Sequence, residues 1–156
     1  MTDSSSLDIP PPHPCAFCDY LTGKRPYTVL WREPGVAVLV TREQRGISHL
    51  LVIPSEHRSS ILDVRPEEAS ALMLAIRDAA QTIADSDESE GLSIWQNNGR
   101  PAHQAIPHLH FHVAGTLPGG GTNFGEVPEL TVRETDEIAR RLAAYVPRAA
   151  QRRVFT

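Results

Sequence analysis

Cysteine is scarce in this chain, with two among 156 residues. They stand as Cys15 and Cys18, a Cys-x-x-Cys pair, and in a cytosolic setting that spacing favours metal binding or redox chemistry over a structural disulfide. Long apolar runs are also missing. Stretches such as Leu50 to Ile53 are far too short to span a bilayer. The N-terminus has neither the charged start nor the apolar stretch of a secretory signal, so the expected location is the cytoplasm. No excess of positive charge is present. The formal net charge of −4 argues against a protein that binds nucleic acid through bulk charge, while leaving room for a small basic patch that meets phosphate. There is no internal repeat. The one glycine cluster, Pro118-Gly119-Gly120-Gly121, lacks the strand-to-helix setting of a phosphate-binding loop and reads as a connector.

The remainder is ordinary for a soluble globular protein, 40% hydrophobic and 22% charged, and its length suits one domain with a real core. Residues 1–14, with a serine run and Pro10-Pro11-Pro12, read as a disordered tail ahead of a single domain over 15–156. Strands are expected at Thr28–Trp31 and Val36–Val40 around a Glu33-Pro34-Gly35 turn, at His49–Ile53 and at Leu92–Asn97. Pro66 suits a first helical position, and Ala69, Leu72, Met73, Ile76, Ala80 and Ile83 repeat at helical spacing to about Asp85. Thr131-x-x-Glu134 reads as a capping box opening a last helix over 131–146, in an extension beyond a core of 15–117. One long helix and a C-terminal helix among sequential strands predict an α+β fold with a five-stranded antiparallel sheet. Its exposed edges invite pairing with a second copy.

The densest chemical signal is His108-Leu109-His110-Phe111-His112-Val113-Ala114. Alternation places three imidazoles on one face of a strand and Leu109, Phe111 and Val113 on the other. Three histidines in such alternation are not ordinary surface residues. Nor can all three bind one metal. They spread over about 13 Å along a strand, while Zn–N bonds are about 2.0–2.1 Å long. Covalent phosphoryl chemistry fits better: a neutral imidazole attacks phosphorus, and neighbouring donors stabilise the phosphate oxygens.

The pattern His108 to Ala114 resembles the signature of the histidine triad superfamily. Three further segments resemble that family in the expected order: Cys15-Ala-Phe-Cys18, Ser48-His49-Leu50-Leu51-Val52-Ile53-Pro54, and Gln96-Asn97-Asn98-Gly99 followed by Gln104. Together they span roughly residues 15–115.

The resemblance implies a homodimeric fold and attack on the α-phosphorus of a nucleotide, with a nucleotidyl-histidine intermediate released by water. His110 matches the nucleophile and His112 the phosphate-contacting third histidine. Asn97 and Gln104 match polar residues that hold phosphate oxygens, and Thr41 stands at the ribose-contacting position. Zinc-containing members imply a structural Zn2+ on Cys15, Cys18, His49 and His108. His57 matches a histidine common after the third strand. His103 lies near enough to touch a leaving group.

Two positions depart from the pattern. Ala105 replaces a serine or threonine of some branches and removes a hydroxyl donor, which tilts the expected substrate from nucleoside phosphoramidates towards dinucleoside polyphosphates. Thr41 replaces an Asp or Asn and cannot grip a ribose diol in bidentate fashion; Arg42 beside it is placed to meet a distal phosphate. The expected function is therefore a nucleotide hydrolase acting on a purine nucleotide or dinucleotide. A nucleotidyl transferase and a nucleotide-binding regulatory module are the alternatives.

Overall fold

A computed structural model describes residues 7–86 and 89–156. The part of the expected tail at residues 1–6 lies outside the described residues. The rest of that segment, 7–14, is held against the domain: the Arg100 amide donates to the Asp8 carbonyl at 2.7 Å, and the two side chains pair at 2.6 Å.

The backbone follows the order α1 (Ala16–Thr22), β1 (Val29–Glu33), β2 (Val36–Val40), β3 (Ile47–Pro54), α2 (Pro66–Asp85), β4 (Leu92–Trp95), β5 (Phe111–Gly115), α3 (Val132–Leu142) and β6 (Arg153–Val154). The sheet runs β4-β5-β3-β2-β1-β6 with every neighbouring pair antiparallel. The α+β class is as expected. The sheet has six strands instead of five, because the chain end returns to pair Val154 with Trp31. Two residues are too few to carry a readable alternation, so β6 left no signal. Helix α1 also went unread; its seven residues span too few turns to show a period.

Alternation sorts the strand residues onto two faces. Val36, Val38 and Val40 of β2, with Leu50 and Val52 of β3, pack in one cluster with Leu72, Ile76 and Ile83 of α2 and Leu142 of α3. Ala37, Leu39, Leu51 and Ile53 point the other way and meet Cys15 and Phe17. β2 is thus buried on both faces, which explains its unbroken apolar sequence. Helix α2 occupies the expected span, starting at Pro66. The Thr131–Glu134 capping box forms, and α3 is followed by a 3-10 turn at Ala143–Tyr145.

The C-terminus is locked by Arg152. Its guanidinium, 3% exposed, lies 2.5 Å from Glu33 of β1 and 2.9 Å from Asp78 of α2. It also covers the Trp31 ring at 4.6 Å. Among the described residues no helix is long and apolar enough to cross a membrane.

Candidate active site and metal centre

The three histidines share one face of the chain, although β5 itself begins only at Phe111. Extending the register that pairs Val52 with Phe111 places Pro54 opposite Leu109. Proline has no N–H for the ladder, and the Leu109 amide instead donates to the Arg58 carbonyl at 2.6 Å. Leu109, Phe111 and Val113 enter the α2-side core as expected. His108, His110 and His112 are left on the α1 side, where Phe17 packs edge-on against both His108 and His110.

His110 Nδ1 lies 2.7 Å from the His108 carbonyl. A carbonyl only accepts, so Nδ1 carries the proton and donates, and Nε2 is the bare nitrogen. Burial holds the imidazole below its ordinary pKa, which keeps it neutral. A neutral histidine with a fixed tautomer is what nucleophilic attack requires.

His112 is set by a second chain of hydrogen bonds. The Arg45 amide donates to His49 Nδ1 at 3.1 Å. His49 Nε2 stands 2.9 Å from His112 Nδ1. Burial pushes His49 down to about 3 and His112 to about 2, so both rings are neutral. His49 therefore donates from Nε2 to His112 Nδ1, and His112 keeps its own proton on Nε2. Trp95 stacks on His112 with ring planes 2° apart and centroids 4.7 Å apart. The bulge in β3 between Ile47 and Leu50, with Ser48 at φ 54°, brings His49 into this position.

That placement corrects the ligand set expected from the sequence. His49 is not with the cysteines; both its ring nitrogens are engaged elsewhere. The fourth member of the cluster is His57. Ligand atoms of Cys15, Cys18, His57 and His108 all lie within 4.8 Å of one another. His108 Nδ1 is 3.5 Å from Cys15 Sγ and 3.6 Å from Cys18 Sγ, and His57 Nδ1 is 3.3 Å from Cys18 Sγ. A tetrahedral zinc with Zn–S near 2.3 Å and Zn–N near 2.0–2.1 Å has S···N edges of about 3.6 Å, so the donors fit that ion. His108 Nε2 donates to the Pro54 carbonyl at 2.9 Å, which turns its bare Nδ1 to the cluster. The Cys-x-x-Cys spacing spans the first turn of α1, with Cys15 as its N-cap. Burial and the neighbouring Cys15 thiol push the Cys18 thiol up to about 11. The signal for His57 was its position three residues after the Pro54 that ends β3.

A cavity of about 690 Å³ opens over His110 and His112. Phe17, Tyr20 and Tyr27 line it along with Asn97, Thr41 and Ala105. Tyr20 and Tyr27 stack at 3.9 Å. Asn97 offers the cavity a side-chain amide that has no partner among the described residues. Thr41 is on the lining too, its hydroxyl accepting from the Glu43 amide at 3.2 Å.

Gln104 does not line the cavity. It is 3% exposed, accepts from the Gly99 amide and donates to the Ser59 and Ile106 carbonyls. It braces the loop that presents Asn97, because three backbone groups there need partners. Arg42 does line the cavity, but it pairs with Glu129 at 2.9 Å and donates to the Leu130 carbonyl. His103 is on the lining in a left-handed conformation, φ 68°.

Trp95, Arg45, Phe124 and Glu129 are also on the wall, and the sequence reading missed them. An isolated phenylalanine within Gly-Gly-Gly-Thr-Asn-Phe-Gly is a signal of sorts, since a loop has no core to bury it.

The HIT domain family model matches residues 22–118, and the chain belongs to that family. It is 30% identical over 139 residues to the Bacillus subtilis protein called hit, covering 83% of this chain and 95% of that one. A Candida albicans adenosine 5′-monophosphoramidase is 24% identical over 140 residues, with 81% of this chain and 92% of the relative covered. Among solved structures, a zinc-bound histidine triad family protein from Mycobacterium smegmatis superposes with a TM-score of 0.73 at 24% identity, over 86% of this chain and 94% of that chain.

Proposed function

We propose that the protein is a hydrolase that releases a nucleoside 5′-monophosphate from a purine nucleotide or dinucleotide, through an intermediate on His110. One observation carries this reading. The His108 carbonyl holds the proton on His110 Nδ1 and leaves Nε2 as a bare nitrogen on a residue that lines the cavity. The Nε2 lone pair forms an N–P bond at the α-phosphorus, and the P–O or P–N bond to the leaving group breaks, its electron pair departing with that group. Water then forms a P–O bond, and the N–P pair returns to Nε2. The proton lost by water balances the one taken up by the leaving group. His112 Nε2–H and the Asn97 amide donate to the phosphoryl oxygens where charge develops. Thr41 meets the ribose. The relative named as a monophosphoramidase supports a nucleotide substrate.

Cys15, Cys18, His57 and His108 hold a structural zinc ion in this reading. With four protein ligands it supplies no reaction chemistry and ties α1 to the segment bearing His110. The zinc-bound relative supports it. β4 ends the sheet with Leu92 and Ile94 exposed, 42% and 52%, which supports a homodimer formed along that edge.

The test is nucleotide release from diadenosine tri- and tetraphosphate and from an adenosine phosphoramidate, with His110→Ala as control. The wild type is expected to release AMP, and the variant to lose at least a thousandfold in rate while still binding AMP. Equal release from both proteins counts against the reading.

A further inference from the structure

The loop between β5 and α3 spends many hydrogen bonds on presenting one side chain to solvent. It leaves β5 and reverses at Gly119, Gly120 and Gly121, all at positive φ, with Leu117 and Gly121 closing the turn at 2.9 Å. It then crosses the chain ahead of β3. The Asn123 amide donates to the Arg45 carbonyl at 2.7 Å. The Arg45 guanidinium donates to the carbonyls of Asn123 at 3.1 Å and Gly125 at 2.6 Å. The Gly125 amide donates to the Asn123 side chain at 2.9 Å. Phe124 sits between these anchors. Its backbone is fixed on both sides, yet its ring is 81% exposed.

The only ring that Phe124 meets among the described residues is Trp95, edge-on at 6.3 Å. Trp95 is itself the ring stacked on His112. Aromatic side chains therefore flank His110 on two sides of one cavity: Phe17, Tyr20 and Tyr27 from the α1 side, and Trp95 with Phe124 from the β4 side. A single retained nucleoside needs one of these walls. Leaving a phenylalanine in water is unfavourable, and holding it at a cavity mouth makes sense when a flat apolar ring covers it on binding.

We infer that Phe124, held by Arg45 and backed by Trp95, forms a second stacking subsite, which takes the aromatic base of a leaving nucleotide. This rests on the hydrolase reading above. It makes the β5–α3 loop a specificity element: a leaving group that ends in a planar ring gains contact there, and a small one does not. The Arg45 amide also sets the His49–His112 chain, so the residue that anchors the loop also orients the histidine beside the nucleophile.

The experiment compares full-length wild type, Phe124→Ala and Phe124→Trp on diadenosine tetraphosphate and on adenosine phosphoramidate, which share the adenylyl group and differ in the leaving group. The ratio of kcat/KM for the dinucleotide to that for the phosphoramidate is expected to fall about tenfold in Phe124→Ala, within the range a base stacked on one aromatic ring supplies. Phe124→Trp should restore it. An unchanged ratio overturns the inference. So does weaker AMP binding in Phe124→Ala, which would assign the ring to the retained nucleoside, or a change in oligomeric state with equal loss on both substrates.

Should the wild type turn over neither compound, the hydrolase reading fails, and Trp95 fluorescence still reads the subsite. Tighter binding of diadenosine tetraphosphate than of AMP, lost in Phe124→Ala, supports the subsite. Equal binding of the two by the wild type overturns it.

Discussion

His49 Nε2 and His112 Nδ1 lie 2.9 Å apart, and the Arg45 amide on the far side of His49 decides which of them donates. His49 thus acts on the reaction through His112. Replacing it with phenylalanine removes the donor and frees His112 to take the other tautomer. The expected result is a fall in kcat of roughly tenfold, the worth of one buried hydrogen bond, with KM little changed. His49→Gln keeps a donor group and should lose less. Steady-state kinetics on one adenylyl substrate decide this, and equal losses for both variants would rule out orientation through the hydrogen bond.

The same residue makes stability depend on pH. An unfolded histidine takes up its proton near pH 6.5, whereas buried His49 does so only near pH 3. Between those values the unfolded chain binds more protons. Stability contributed by His49 is therefore complete above about pH 6.5 and is lost as the pH falls towards 3, by up to about 1.4 kcal/mol per unit for this one group. Urea unfolding at pH 7, 6 and 5 should show a shallower decline in His49→Gln than in the wild type. Parallel declines would mean that His49 contributes nothing to the slope.

The metal set separates the two histidines that follow the β2–β3 connection. Metal analysis of the purified protein should find one zinc per chain. Cys15→Ser and His57→Ala should each lose it and unfold more readily, while His49→Gln should retain it. Zinc kept in His57→Ala and lost in His49→Gln would restore the ligand set drawn from the sequence.

Arg152 is expected to matter out of proportion to its place four residues before Thr156. Removing it leaves Glu33, 15% exposed, without this cation and Asp78, 13% exposed, with the exposed Arg77 at 3.2 Å in its place. Arg152→Ala should cost about 3 kcal/mol, and Arg152→Lys should recover only part of it, since one ammonium does not reproduce a two-sided guanidinium contact. Urea midpoints measure both. A loss below about 0.5 kcal/mol would show the clamp to be of no consequence.

Alternation at His108–Val113 and helical spacing from Pro66 to Asp85 were readable because backbone geometry repeats along the chain. From those periods follow the face that carries the histidines, the long helix and the α+β class. The Cys-x-x-Cys pair was readable for the same reason: its spacing brings two sulfurs together within one turn. What escaped the sequence depends on distance through space. His49 and His57 are both histidines near β3, and only the bulge at Ser48 sends one to His112 while the chain beyond Pro54 carries the other to the cysteines. Gln104 could serve a phosphate or a loop, and the loop took it because three backbone groups there have no other partner among the described residues. Arg45 reaches Asn123 and Gly125, 78 and 80 positions away on either side of Phe124, because three glycines turn the chain back. Local periodicity thus determined which elements form and which chemistry they carry. Tertiary packing decided which ring faces which, since a hydrogen bond is specified by angle and distance, not by order in the chain.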